Sequence, residues 1–262
     1  MVVDAWNAAE AYEPYIGRWS RPIARDFVAW LSVPAGARWL DVGCGTGALC
    51  EAILQQAQPA GLTGIDRSPD YAAYAGRHLQ DARACFAAGD ATALPVCDNG
   101  FDAVVSGLML NFVPQPEQAA GEFTSSARPG GIVAAYVWDY ADGMQILRHF
   151  WDVARSMDEA GALLDEGVRF PTCHPDVLAS LFRDAGLNDV VTTALDAPTV
   201  FRDFDDYWRP FLGGQGPAPG YLRSLSAERR QELRETLRTR LVPQNDGTIP
   251  LRARAWAVKA VK

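Results

Sequence analysis

Short apolar runs alternate with segments of helical spacing through the first half of the chain. "ARWLDV" is a compact apolar run, and "GALCEAILQQA" follows it with Leu49, Ile53 and Leu54 at helical intervals. "GLTGID", "ARACFAAGD", "FDAVVSGLML" and "GIVAAYVWDY" repeat the apolar theme, and "PDYAAYAGRHLQDA" and "QPEQAAGEFTSSA" lie between them as helices. Ser68 caps the first of these with Pro69 at its first position, and "RPGG" stops the second. Runs that are apolar throughout fit strands covered on both faces, as in a parallel sheet under helices. Strand–helix alternation then implies right-handed crossovers and a doubly wound α/β domain over about Arg38–Asp139.

The second half is less regular. "MQILRHFWDVARSMDEAG" and "PDVLASLFRDAGL" read as amphipathic helices, the latter ending at Gly186. "NDVVTTALDA" reads as a strand and "FLGGQGPAPGY" as a Gly/Pro loop. "SAERRQELRETLRTRL" is a helix capped by Ser226, with Leu233, Leu237 and Leu241 on one stripe. "IPLRARAWAVKAVK" ends the chain as a strand supported by Trp256 and Val258. The change after Asp139 points to helices added over one end of the sheet.

Length and composition narrow this picture. With 262 residues, 48% of them apolar and 21% charged, the chain can bury a full core and is not of disordered composition. Its net charge of -8 disfavours nucleic acid and anionic membrane surfaces as partners. Arg229, Arg230, Arg234, Arg238 and Arg240 alternate with Glu228, Glu232 and Glu235, which reads as a solvated helix face. Cys44, Cys50, Cys85, Cys97 and Cys173 are odd in number and lack C-x-x-C spacing, so neither a disulfide framework nor a metal site is expected. No secretory leader or apolar segment of spanning length is visible, and a cytoplasmic location is the expectation.

Candidate chemistry centres on the glycines after the first strand. In an open parallel sheet, ligands bind beyond the carboxyl ends of the strands. Gly43-x-Gly45-x-x-Ala48 fits a dinucleotide fingerprint, and Asp66 lies where an acid takes ribose hydroxyls. That alone permits a nicotinamide-dependent dehydrogenase. Three features tip the balance towards another nucleotide. Asp41 stands where pyrophosphate would approach, and its charge suits an amino group or a sulfonium. Asp90 and the Ala91 amide in "AGDATALP" can bracket an adenine edge. Ser106 and Gly107 end the fourth strand beside the glycine turn.

The motifs "LDVGCGTG", "GIDRSPDY", "AGDATALPVCDNGFDAVVSGLMLNF" and "RPGGIVAAYVWD" occur in order, and over Trp39–Asp139 the chain resembles class I S-adenosylmethionine-dependent methyltransferases, especially the ubiquinone/menaquinone biosynthesis and methyltransferase type 11 group. The resemblance implies a Rossmann-like, seven-stranded, mostly parallel sheet with an antiparallel last strand, helices on both faces and an extra helical cap. It divides the single domain into an N-terminal helical lid (1–36), a cofactor-binding core (37–140) and a cap over the acceptor site (141–185 and 197–248). Asp41 and the Gly43, Cys44, Gly45, Gly47 turn would lie along the methionine part of S-adenosylmethionine. Asp66 would take the ribose, Arg67 and Ser68 the adenine side, Asp90 and Ala91 the adenine edge, and Ser106 the sulfonium. Aromatics of "YEPYIGRWSR", Tyr12, Tyr15 and Trp19 among them, would cover the cofactor.

Methyl transfer to a small, apolar or aromatic acceptor at oxygen or carbon is the activity this implies. It needs neither a metal nor a covalent nucleophile, and a base only where the acceptor must lose a proton. His149, Asp139 and Tyr140 are the candidates for such a role. The alternatives are a catalytically inactive S-adenosylmethionine-binding module, a protein or RNA methyltransferase, or the dehydrogenase. The protein is expected to act as a monomer or homodimer.

Overall fold

The computed structural model describes residues 17–213 and 216–262. The chain opens with helix α1 (Arg18–Leu31) and alternates through β1 (Arg38–Val42), α2 (Ala48–Gln56), β2 (Gly61–Asp66), α3 (Pro69–Leu79), β3 (Ala84–Ala88) and β4 (Phe101–Gly107). After α4 (Pro116–Ser126) and β5 (Ala127–Trp138) come α5 (Gln145–Met157), α6 (Glu159–Leu164), α7 (Glu166–Arg169) and α8 (Pro175–Asp184). Strand β6 (Asn188–Phe201), helices α9 (Phe204–Trp208), α10 (Pro217–Ser224) and α11 (Ala227–Arg240), and β7 (Ile249–Val261) complete it.

The seven strands form one sheet in the order β3-β2-β1-β4-β5-β7-β6. The pairs from β3 to β5 are parallel. Strand β7 runs antiparallel to β5: the Gly130 amide donates to the Lys262 carbonyl, and the Asp139 amide to that of Arg254. The expected mostly parallel sheet with a reversed final strand is therefore present. Central strands are apolar because both faces are covered; Trp39, Leu40, Val104, Val105 and Val133 are buried. Strand β3 departs from that pattern because it is an edge strand, half open to solvent.

Local signals account for most boundaries. The Ser68 hydroxyl accepts from the Tyr71 amide and starts α3 behind Pro69. Ser226 does the same for α11 through the Arg229 amide. Two expectations need correction. "MQILRHFWDVARSMDEAG" is two helices, because Asp158 turns extended and its carboxylate caps α6 at Gly161. The "FLGGQGPAPGY" stretch is not wholly loop, since Phe211 and Leu212 end a 3-10 turn and Pro217 starts α10. "RPGG" does stop α4, yet it already belongs to β5, where a register shift against β4 absorbs it.

The chain divides into two compact units. One comprises Ser20–Val137, Thr172–Leu195 and Ala255–Lys262 and holds the parallel strands. In it Phe27 packs on Tyr136 with ring centroids 4.6 Å apart, and the Lys259 ammonium donates to the Trp30 carbonyl at 2.9 Å. The other contains the described residues 17–19 with Trp138–Pro171 and Asp196–Arg254. Its core is aromatic: Phe150 stacks on Phe211 at 4.7 Å, and the buried Tyr207 hydroxyl donates to the Ile146 carbonyl at 2.9 Å.

Candidate functional site: the carboxyl edge of the parallel strands

Strands β1 to β4 are parallel, so their carboxyl ends share one edge of the sheet. Val42 pairs with Ile65, Asp66 with Ala88 and Asp41 with Val105. That register brings Asp41, the glycine turn, Asp66, the turn holding Asp90 and Ala91, and Ser106 to the same edge. All of these residues lie in one compact unit.

The turn is fastened to β2. The Gly43 and Cys44 amides both donate to the Ile65 carbonyl, at 2.7 and 3.0 Å. The Asp66 carboxylate accepts the Gly45 amide on one oxygen and the Ser68 amide on the other, each at 2.8 Å. Asp66 is therefore the clamp that joins the turn to α3, a role the sequence reading did not assign to it. Each carboxylate oxygen keeps a further lone pair for a ligand hydroxyl. Burial raises its pKa above the ordinary carboxylate value, against the lowering effect of the Ser68 and Gly45 amides.

Two glycines serve different purposes. Gly43 has φ 77°, and a Cβ there would stand 2.4 Å from Met109 Cγ, so its need is internal to the fold. Gly45 has φ 52°, and a Cβ there would meet no atom within 4 Å. A Cβ at Gly47 would meet Leu79 Cδ1 at 2.9 Å, so of the three glycines in this turn Gly45 is the one whose bare backbone faces open room, a cradle that a side chain would fill.

Asp41 is fully buried. One carboxylate oxygen accepts from the Cys50 thiol at 3.0 Å, and the other has no hydrogen-bond partner. Desolvation pushes its pKa up to about 7, the Cys50 bond opposes this, and Asp66 adds to it. The buried Ser106 hydroxyl also lacks a partner. Buried polar atoms left unpaired cost roughly 1–3 kcal/mol, so two at one sheet edge mark a place where a polar ligand belongs. An orphaned acid oxygen, an orphaned hydroxyl and an open-faced glycine fit a ligand with a cationic amino group.

The remaining predicted residues are placed as follows. Asp90 is exposed and accepts the Thr92 amide and hydroxyl at 2.9 and 2.7 Å, which forms an Asx turn and lowers its pKa. Arg67 is exposed beside it. The Ser68 hydroxyl is occupied as the cap of α3. Tyr12 and Tyr15 lie outside the described residues. Trp19 is buried, edge-on to Phe201 at 5.6 Å. Asp139 and Tyr140 are buried in the second unit; Asp139 accepts the Asp142 amide at 3.0 Å, and Tyr140 meets Phe170 at 5.9 Å. His149 is half-buried on α5 with one shielded, unpartnered ring nitrogen, and burial lowers its pKa.

Three contributors escaped the sequence reading. Cys50 supplies the thiol on Asp41. Met109 fills the space over Gly43. Leu108, just after β4, holds φ 58°, a left-handed conformation uncommon for a branched side chain. The only hint of the last two in the sequence was the "SGLML" run, which reads as strand continuation.

A family model described as a methyltransferase domain matches residues 40–135. A demethylmenaquinone methyltransferase of Roseiflexus castenholzii is 36% identical over 178 residues, covering 62% of this chain and 73% of that protein. The chain belongs to the S-adenosylmethionine-dependent methyltransferases. A trans-aconitate 2-methyltransferase of Streptomyces avermitilis is 30% identical to this methyltransferase over 189 residues, 68% of this chain and 69% of that protein. Among solved structures, Haemonchus contortus phosphoethanolamine N-methyltransferase 2 in complex with S-adenosyl-L-methionine superposes with TM-score 0.60 at 17% identity. That match covers 97% of this chain and 56% of the other, and the likeness is one of fold. The methyltransferase's cofactor is S-adenosylmethionine, and the dinucleotide reading of the glycines falls away. No helix among its described residues is long and apolar enough to cross a membrane.

Proposed function

We propose that this methyltransferase alkylates a small, apolar or aromatic acceptor at oxygen or carbon, in the cytoplasm and as a monomer or homodimer. The unpartnered Asp41 oxygen at the sheet edge carries the binding part of this reading, because a desolvated carboxylate oxygen without a donor is matched by a cationic amine. In this reading Asp41 holds the amino group of the cofactor, with the backbone of Gly43, Cys44, Gly45 and Gly47 along its tail. Asp66 takes the ribose hydroxyls with its free lone pairs, Arg67 and Ser68 flank the adenine, and Asp90 with the Ala91 amide takes the adenine edge. Ser106 lies towards the sulfonium. S-adenosylmethionine supplies a methyl group already activated by its positive sulfur. What the chain adds is alignment and exclusion of water, and orientation alone contributes up to ~7–11 kcal/mol in favourable cases.

The small-acceptor reading is supported by relatives whose names specify a quinone precursor and an organic acid. The acidic balance of the chain supports it against nucleic acid. All five cysteines are free, which suits a reducing compartment. Where an acceptor must lose a proton, we put forward His149, Asp139 and Tyr140 as the groups to test; burial lowers the His149 pKa, and one of its ring nitrogens has no partner.

The test is transfer of labelled methyl from S-adenosylmethionine to a panel of hydroquinones, phenols, unsaturated carboxylic acids and amines. Label is expected on a phenolic, enolic or carbon acceptor. Cofactor binding without transfer to any of the panel would favour the binding-module alternative, and exclusive amine labelling would overturn the oxygen or carbon assignment.

A further inference from the structure

Helices α9 and α11, with the 3-10 turn Arg209–Leu212 between α9 and α10, line an open hollow of 470 Å³, within the roughly 300–1,000 Å³ range of small-molecule sites. Asp205, Trp208, Arg209, Leu212, Arg230 and Arg234 line it, all from one compact unit. Three guanidiniums against one carboxylate make this a basic hollow in a chain of net charge -8.

Two of the three arginines, Arg230 and Arg234, are held in place before any ligand arrives. Arg230 donates through Nε to the Leu222 carbonyl at 3.2 Å and through Nη2 to the Leu225 carbonyl at 3.2 Å. Arg234 donates through Nη2 to Asp205 at 2.9 Å and lies over the Phe204 ring. Asp205 is also 3.8 Å from Arg238, so its charge is already countered. The arginines of α11 are thus not simply a solvated face, as their spacing with glutamates suggested.

Two groups remain unused. Arg234 Nε is shielded from solvent and has no acceptor. Arg209 is exposed on the rim and makes no ion pair or side-chain hydrogen bond among the described residues. Lacing of helices accounts for Arg230 and most of Arg234, but for neither of these. Part of the wall is apolar: Trp208 is stacked parallel on Phe204 at 6.3 Å, and Leu212 is 58% exposed.

We propose that this hollow is a binding site for a small organic carboxylate with an apolar body. The carboxylate meets the guanidiniums of Arg209 and Arg234, whose planar forks match it in geometry, and the apolar body lies against Trp208 and Leu212. The proposal is independent of the acceptor assigned above.

Benzoate, its neutral amide and inorganic phosphate, titrated by calorimetry or ligand-observed NMR, test it on the full chain. Benzoate is expected to bind saturably and at least tenfold more tightly than benzamide or phosphate. Arg209→Gln is expected to weaken benzoate at least fivefold while leaving the melting temperature and the affinity for S-adenosylhomocysteine unchanged. Arg234→Gln is expected to weaken benzoate further, and because it also releases Asp205 the rim variant is the decisive one. Absent benzoate binding, benzoate binding indifferent to Arg209→Gln, or phosphate and benzamide binding as tightly would each overturn the proposal.

Discussion

At Asp41 burial and function oppose each other. Without a ligand, desolvation holds the carboxyl protonated up to about pH 7, where an ordinary aspartate is ionised from about pH 4. A cationic amino group binds the ionised form, so association must release a proton at any pH below that value. Affinity for S-adenosylhomocysteine, which keeps the amino group and lacks the charged sulfur, is therefore expected to rise with pH from 6 to about 7 and to level off by 8. The rise approaches tenfold per unit at the acid end. Calorimetry in buffers of different ionisation heat should register nearly one proton released at pH 6 and little at pH 8. Asp41→Asn should weaken binding and abolish both effects; a pH-independent wild type would remove Asp41 from the amino-group site. Gly45→Ala offers a complementary probe, because its methyl enters open room. Only the left-handed backbone resists it, at ~1–2 kcal/mol, so the fold should survive and affinity should fall by an order of magnitude or more. An unaltered dissociation constant for Gly45→Ala would show that the cradle is not where the cofactor tail lies.

Among the elements, the turn after β1 and the turn after β4 form one mechanical unit. Met109 occupies the space that a side chain at Gly43 would need, and Leu108 accepts a left-handed backbone to bring it there. Gly43→Ala is thus expected to cost at least ~2 kcal/mol in denaturant unfolding, combining steric overlap with positive-φ strain. Met109→Ala in the same chain removes the Cγ and Cε overlaps but keeps the Cβ, 2.7 Å from the new methyl, so it should recover part of the steric cost and leave the backbone part, giving a coupling energy of ~1 kcal/mol or more in a double-mutant cycle. Strict additivity would mean that the two turns do not share the contact. This coupling explains what was legible in the sequence and what was not. The strands from β1 to β5 announced themselves through apolar runs, and the caps at Ser68 and Ser226 through local chemistry, because both depend on neighbours along the chain. The glycine turn and Asp66 were legible for the same reason. The break between α5 and α6 was not, since an acidic residue inside a helical pattern signals nothing until its backbone turns extended. The Cys50 thiol on Asp41 and the reach of Met109 over Gly43 depend on how α2 and β4 lie against β1. No spacing rule encodes that.

Across the molecule, the two compact units each bury an acid whose proton is retained on folding. Asp41 lies in the unit of the parallel strands and Glu166 in the aromatic one. Burial pushes Glu166 up to about 8, against the Trp151 indole N–H that donates to it. Its neighbour Asp165, itself paired with Arg148 at 2.6 Å, adds to the rise, and the Arg169 charge opposes it. In the unfolded chain these carboxyls lose their protons near 3.8 and 4.5, the ordinary values. Between those values and their folded ones the native state binds more protons than the unfolded state, so stability falls as pH rises. The slope is at most ~1.4 kcal/mol per pH unit for each group. His149 opposes it near neutrality, because its lowered pKa makes stability rise with pH through the imidazole range. The ligand-free protein should accordingly be less stable at pH 8.5 than at pH 5.5 in urea unfolding. Glu166→Gln keeps an acceptor for Trp151 and removes the ionisation. It should match the wild type within ~1 kcal/mol at pH 5.5 and exceed it by a few kcal/mol at pH 8.5. Saturating S-adenosylhomocysteine separates the two acids: it should cancel the contribution of Asp41 and leave that of Glu166 intact. If the units unfold in separate steps, the Glu166→Gln effect should appear only in the transition reported by the tryptophans of the aromatic unit. A variant no more stable than the wild type at pH 8.5 would show that Glu166 is ionised in the native chain and compensated by its surroundings.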